Sequence, residues 1–191
     1  MRKTKEEAAA TRRRIVESAA VEFQRLGIDG SGLTGLMAAA GLTQGGFYKH
    51  FSSKAQLVAE STEASVDNII DNLQGLLPDV AEEEGFDALV RGYLSQQHRD
   101  GDAGCPYAGV GSELARADES TRGVAVEGFE RMVDLLSQQL VDQDETSRRE
   151  RSLLTMCAMM GALTVSRMAQ GNELADEVLG VAGKLLTQCS S

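Results

Sequence analysis

The segment 44–54 concentrates side chains whose types and spacing suit contact with a nucleic acid. Gln44 can donate and accept hydrogen bonds at one base edge, and this bidentate pattern is best suited to adenine. Gly45 and Gly46 follow; glycine is a poor helix former, but it lets the backbone approach a base closely. Tyr48 and the basic residues near it can bind phosphates. The segment therefore predicts contact with both bases and phosphates of DNA.

Catalytic and metal-binding patterns are scarce in the rest of the chain. There are two histidines, His50 and His98, and no Gly-rich phosphate loop, Cys-x-x-Cys pair or His-x-x-x-His spacing. His98 and Cys105 could form a nucleophile pair, but no third residue in the sequence orients them. We therefore expect no enzyme activity, no cofactor and no metal. A purely structural helical scaffold is a further alternative, and it leaves the glycine pair unexplained.

The charge distribution points to the same end of the chain. Residues 1–54 hold nine Lys or Arg against five Asp or Glu, whereas the whole chain has 19 against 29 and a net charge of −10. A basic end on an acidic body indicates a polyanionic partner at that end. The alternative is a solvated surface whose charge is merely uneven.

The composition predicts a helical protein of the cytoplasm. The chain has two prolines and no tryptophan, and its 4 % aromatic content fits an all-β sandwich or barrel poorly. The uncharged, strongly apolar run 152–166 is too short to span a bilayer, and the charged segment 1–14 does not resemble a signal peptide. Three cysteines are an odd and sparse set, which fits a reducing compartment better than a disulfide framework.

Helix start and stop signals divide the chain into nine helices and no strands, which is an all-α fold. Gly41 ends the second helix, and Thr43 caps a third that runs to residue 51. Phe47 in that third helix is expected to pack inward on Phe23 and Leu36. The remaining signals are the stop at Gly27, the capping boxes Ser53-x-x-Gln56 and Ser147-x-x-Glu150, the stop and cap Gly171-Asn172, and later helices over 85–99, 106–117, 120–142, 148–169 and 173–187.

The short second and third helices, joined by the turn Ala40-Gly41-Leu42-Thr43, have the helix-turn-helix pattern. Residues 11–54 resemble the N-terminal domain of the tetracycline-repressor (TetR) family of bacterial transcriptional regulators, and 39–54 (AAGLTQGGFYKHFSSK) resembles its signature without a gap. The resemblance implies a helix-turn-helix DNA-binding domain over 1–54 and a ligand-binding and dimerisation domain over 55–191. It further implies a homodimeric repressor that a small molecule releases from a palindromic double-stranded DNA operator.

The resemblance assigns phosphate contacts to Tyr48, His50 and Lys54. The family usually has Ser or Thr as the cap of the second helix, where this chain has Gly32, and this puts one phosphate contact in doubt. Alternatives stay open: Tyr48 could cap the small core, His50 could face solvent at a helix end, and Gln44 could contact no base. The predicted DNA-binding residues are Thr34 on the far side of the groove, Gln44, Gly45, Gly46, Tyr48, Lys49, His50 and Lys54.

The last two helices carry the predicted dimer interface. The segment 152–166 is apolar on all sides, so it needs partners on two faces. In the TetR family this helix pair forms a four-helix bundle with its copy, here with Val178 and Val181 in it; an ordinary intramolecular core is the alternative. The resemblance also implies an effector site in this domain, although a Met-rich stripe is more often core than pocket. The candidate ligand-binding residues are Phe86, Tyr93, Tyr107, Phe129, Met156, Met159 and Met160.

Cys105 is a candidate redox residue. It precedes Pro106, which predicts a helix start with Cys105 as the N-cap, where the helix dipole stabilises a thiolate and lowers the pKa of the thiol. The Gly-rich loop before it is expected to be exposed, although Asp100 and Asp102 oppose the shift. Such a thiol would sense oxidants or electrophiles. The alternative is a half-buried residue that completes the turn.

Overall fold

The N-terminal helices end where the predicted stop signals stand. The computed structural model describes residues 5–101, 104–140 and 143–188, and within these ranges it has nine α-helices, three short 3₁₀ helices and no strands, which confirms the all-α prediction. No helix in these ranges is long and apolar enough to cross a membrane. The α-helices are α1 Lys5–Leu26, α2 Leu33–Ala39, α3 Lys54–Gln74, α4 Gly85–Tyr93, α5 Gln96–Asp100, α6 Pro106–Leu114, α7 Glu119–Ser137, α8 Glu145–Met168 and α9 Leu174–Gln188; the 3₁₀ helices are Gln44–Lys49, Leu77–Asp79 and Glu82–Glu84.

Glycines end α1 and α2, and a serine caps the start of α3, as predicted. Gly27 ends α1 with φ +78° and Gly41 follows α2 with φ +70°, in the left-handed region that favours glycine. The Ser53 hydroxyl caps α3 by accepting a hydrogen bond from the Gln56 backbone N at 3.1 Å. These ends therefore follow from local sequence alone.

Two C-terminal helices start at residues other than those predicted. Asp144, and not Ser147, caps α8: its carboxylate accepts from the Ser147 backbone N at 3.2 Å, so the helix begins before the predicted capping box. The predicted helix over 85–99 is broken into α4 and α5, because the Ser95 hydroxyl accepts from the His98 backbone N at 3.1 Å and caps a new helix. In both places one polar side chain decides where the helix starts.

Two hydrophobic cores meet along α3. The first, which we call the head core, includes the buried residues Ile15, Leu36 and Phe47 of α1, α2 and the first 3₁₀ helix. The second, which we call the body core, lies among α4, α7, α8 and α9. The predicted domain boundary between residues 54 and 55 falls at the first turn of α3. Beyond it, α3 contributes Leu57 and Val58 to the head core and Val66, Ile69, Ile70 and Leu73 to the body core.

Helix α6 connects the body to the head. Its residue Val110 is buried in the head core, and the backbone there leaves helical geometry (φ −128°, ψ 20°). At the start of α6 the Gln24 side-chain amide donates to the Gly104 carbonyl at 2.9 Å. Near its end the Asp29 backbone N donates to the Glu113 carboxylate at 2.9 Å. We call these two hydrogen bonds the α6 clips, because they fasten both ends of α6 to α1 and the loop that follows it.

Helices α8 and α9 have one side in the body core and another side exposed. Val178, which the sequence places in a dimer interface, is partly buried against the body core of its own chain, because the apolar residues of α9 form two rows. Val181 lies on the other row and is exposed. Six large apolar residues of these helices are between 40 and 80 % exposed: Leu154, Val165 and Met168 on α8 and Leu174, Val181 and Leu185 on α9.

Candidate nucleic-acid interface

A short 3₁₀ helix carries the segment predicted to contact DNA. Thr43 occupies the N-cap position, but its side chain makes no capping hydrogen bond, and residues 44–49 form a 3₁₀ helix instead of the longer helix predicted. Each glycine costs an α-helix about 1 kcal/mol relative to alanine, so two in succession favour the shorter form. Phe47 is fully buried in the head core with Phe23 and Leu36, as predicted.

The glycine pair is not required by the fold itself. Gly45 and Gly46 are absent from the positive-φ residues, so their backbone conformation does not demand glycine. A Cβ built on Gly45 would meet no atom within 4 Å, and one on Gly46 would only touch Met37 Cε at 3.6 Å. A residue with a Cβ would therefore cause no clash at either position. What the glycines change is the outer surface, which they leave without side chains.

The side chains that follow the glycine pair are accessible. Tyr48 is 71 % exposed and meets the Phe47 ring edge-to-face with 5.2 Å between centroids, so it does not close the core, which was the alternative role. Lys49 is exposed and His50 is partly buried. The Tyr48 hydroxyl and the Lys49 ammonium are thus available to phosphate oxygens beside the glycine surface.

Arg12 braces this segment from α1. Its guanidinium pairs with the Glu60 carboxylate of α3, with N–O distances of 3.1 and 2.5 Å, and donates to the His50 carbonyl. It also lies over the Phe51 ring, 4.2 Å from the centroid. In the sequence Arg12 stands out only as part of a basic run, because its partners lie far away in the chain. A bidentate arginine pair of this kind holds planar geometry better than a single contact.

Lys54, Thr34 and Gln44 all make contacts within the chain. Lys54 is partly buried and its Nζ donates to the Ile28 carbonyl at 2.5 Å, which leaves two of its three donors for a phosphate. Thr34 and Gln44 are exposed, and the Thr34 hydroxyl donates to Gln44 Oε1 at 2.7 Å. Two residues predicted to act separately are thus joined, and their DNA contacts stay predictions.

The residues predicted to bind a ligand pack in or against the body core. Four of them are at most 2 % exposed: Phe86, Tyr93, Met156 and Met159. The other three are partly buried and pack against this core: Tyr107, Phe129 and Met160. Methionine and aromatic side chains fill such a core readily, which is the alternative that the sequence leaves open. Their part in binding a ligand stays a prediction.

A cleft of about 660 Å³ lies between α3, α4 and α5, outside this packed set. That volume is within the range of small-molecule sites, roughly 300–1,000 Å³. Among the residues that the structure describes, none of those that line it is charged, and none is among the predicted ligand-binding residues. They are Ile69, Asn72, Leu73, Leu76, Gly92, Ser95, Gln97, His98 and Gly101.

His98, one of the residues that line this cleft, has a defined protonation state. Its Nδ1 lies 2.6 Å from the Tyr93 carbonyl oxygen, which can only accept, so Nδ1 carries the proton. Burial lowers the pKa of His98, which keeps the ring neutral near pH 7. Its Nε2 is then an acceptor, shielded from solvent and without a hydrogen-bond partner among the residues described. A buried acceptor of this kind favours a partner that donates a hydrogen bond.

Cys105 is placed where predicted but in a different environment. It is the N-cap of α6, with Pro106 as the first helical residue, yet it is fully buried beside Tyr93. Desolvation raises the pKa of the Cys105 thiol, although hydrogen bonds from Tyr93 and the α6 backbone oppose the shift. The predicted lowering of the pKa is therefore wrong, because burial outweighs the helix terminus. Among the other cysteines, Cys157 is exposed and Cys189 lies outside the described residues.

Comparison with known proteins gives a consistent family assignment over both parts of the chain. A family model described as "Bacterial regulatory proteins, tetR family" matches residues 15–61, and one described as "Transcriptional regulator LmrA/YxaF-like, C-terminal domain" matches residues 83–178. The HTH-type transcriptional regulator AcrR of Shigella flexneri is 41 % identical over 68 residues, which cover 36 % of this chain and 32 % of that protein. The chain thus spans about a third of the length of this curated relative.

Solved structures have the same fold over nearly the whole chain. A TetR transcriptional regulator from Chloroflexus aurantiacus superposes with a TM-score of 0.81 at 20 % identity, and the match covers 96 % of this chain and 97 % of that one. The structure of AibR in complex with isovaleryl coenzyme A and operator DNA matches with a TM-score of 0.67 at 18 % identity, covering 91 % and 97 % of the two chains.

Proposed function

Because the chain belongs to the TetR family of bacterial regulatory proteins, which are transcriptional regulators and not enzymes, we propose that it is a ligand-responsive repressor of transcription. It binds a palindromic double-stranded operator as a homodimer, and a small-molecule effector releases it. Since its partner is chromosomal DNA, its compartment is the cytoplasm.

The observation that carries the DNA-binding proposal is the bare surface of the glycine pair. Neither packing nor backbone conformation calls for glycine at 45 and 46, so an external surface that must come close is the remaining physical reason. Tyr48 and Lys49 stand exposed beside it and supply phosphate contacts that set the register on the duplex. Lys54 and His50, both partly buried, are the further candidate phosphate contacts. AibR, which has this fold, was crystallised with operator DNA.

The exposed apolar residues of α8 and α9 support a homodimer. Six large side chains on these two helices, 40 to 80 % exposed, form more apolar surface than scattered single residues would explain. A Cβ added at Gly161 on α8 or at Gly180 on α9 would meet no atom within 4 Å, so a second helix pair can approach closely there. A second copy of this chain offers the same apolar residues and fits this surface by two-fold symmetry.

The cleft between α3, α4 and α5 is the effector site in this proposal. Ile69, Leu73 and Leu76 supply its apolar wall. Because the described lining residues carry no charge, the effector is a neutral, largely apolar molecule. The ring of Tyr93, one of the predicted residues, lies directly behind His98 with 4.6 Å between centroids.

We predict that Lys49→Ala weakens binding to every DNA sequence and reduces its dependence on salt. Each phosphate that a protein neutralises contributes about −0.9 to the slope of log K against log salt concentration, so the slope should fall by about that amount. Fluorescence anisotropy with a duplex selected by the protein measures this. Arg131→Ala, which removes a cation from α7 in the body, is the control and should leave the slope unchanged. An unchanged slope in Lys49→Ala would remove Lys49 from the interface.

We predict that Val181→Glu produces a monomer. Burial of an unpaired charge in an apolar interface costs several kcal/mol, more than such an interface can tolerate. Light scattering on the purified protein reports the mass. The matched control is Val126→Glu on α7, which is 60 % exposed and is not one of the exposed apolar residues of α8 and α9, and it should remain a dimer. A dimer in both variants would place the interface elsewhere.

We predict that neutral small molecules found to raise the melting temperature of the wild type no longer do so in Asn72→Trp. Asn72 is an exposed residue of the cleft wall, so tryptophan there fills the cleft without disturbing the core. At a hundred times its Kd a ligand stabilises by about 2.7 kcal/mol, or about 5–10 °C for a chain of this size. Asn68→Trp, exposed on α3 outside the cleft, should keep the full shift. Equal shifts in all three proteins would exclude this cleft.

A further inference from the structure

The hydrogen bond between Thr34 and Gln44 fixes how Gln44 is presented. Thr34 lies on the first turn of α2, which is anchored in the head core by Leu36 and Met37, both at most 1 % exposed. Threonine has two main rotamers on a helix, and the hydrogen bond to Gln44 selects one of them. That hydroxyl donates to Gln44 Oε1 across the turn at 2.7 Å.

This hydrogen bond occupies the Thr34 hydroxyl and the Gln44 oxygen, which are the groups that the predicted contacts to phosphate and adenine would need. A threonine hydroxyl has one proton, and Thr34 gives it to Gln44, so it cannot donate the same proton to a phosphate. The Gln44 oxygen is drawn toward α2, and the amide NH₂ with its two donors is the end left for DNA. Gly45 beside it has no side chain to interfere.

We propose that Thr34 is a positioning residue that sets the base preference of Gln44 to guanine. Guanine presents two acceptors in the major groove, O6 and N7, whereas adenine presents one acceptor and one donor. A glutamine that offers only NH₂ therefore matches guanine, and the adenine preference expected for an unconstrained glutamine requires its oxygen to be released. This inference rests on the proposed function, because it concerns how the head selects its operator.

The test is selection of duplexes from a randomised library by the full-length chain and three variants. Gln44→Ala identifies the affected position, because preference there should disappear. The wild type and Thr34→Ser, which keeps the hydroxyl, should select guanine at that position. Thr34→Val has the same shape without the hydroxyl, and its ratio of guanine to adenine should fall by about ten-fold or more. Equal melting temperatures of the variants establish that the head remains folded.

The outcomes separate this inference from the proposed function. If the wild type enriches no palindrome, the proposed function fails and the inference with it. If a palindrome is enriched but Thr34→Val selects the same base as the wild type, only the inference is overturned. It is also overturned if Thr34→Ser changes the preference as Thr34→Val does, or if Gln44→Ala changes none.

Discussion

The packing of α3 into two cores is the constraint on which the rest of the structure depends. One helix supplies Leu57 to the head core and Leu73 to the body core, so neither core can form its full contacts without it. Because helix interiors are stiff on this length scale, a displacement of α3 at the body moves its residues in the head. The head is therefore not an independent module on a flexible linker.

Helix α6 makes the same connection from the other side. Its clips, Gln24 to Gly104 and Asp29 to Glu113, hold both ends of α6 against the head. Gly101 lines the cleft, and Arg167 donates to the Arg99 carbonyl at 3.2 Å beside it. The cleft is thus lined by α3, which packs in both cores, and by Gly101, which follows α5 in the chain. In the proposed function, an effector in the cleft would change contacts on both and would alter DNA affinity by this route.

Local signals in the sequence predicted the helices, whereas contacts between distant residues decided the site. Gly27, Gly41 and Ser53 acted as predicted, because a turn or a cap depends on neighbouring residues only. Arg12 and Cys105 could not be predicted in the same way, since the pairing of one and the burial of the other depend on elements far along the chain. For the same reason, the apolar stripe in the sequence indicated candidate effector residues but could not reveal the cleft. The cleft depends on how three helices, α3, α4 and α5, pack together.

Scanning calorimetry of Leu57→Ala tests most directly whether α3 joins head and body into one cooperative unit. Leu57 is fully buried in the head core, and its truncation should cost about 2–5 kcal/mol. A single unfolding transition that moves as a whole to lower temperature is the predicted result, with Leu26→Ala at an exposed position as the matched control. Two transitions, of which only one moves, would contradict the shared helix as the basis of coupling.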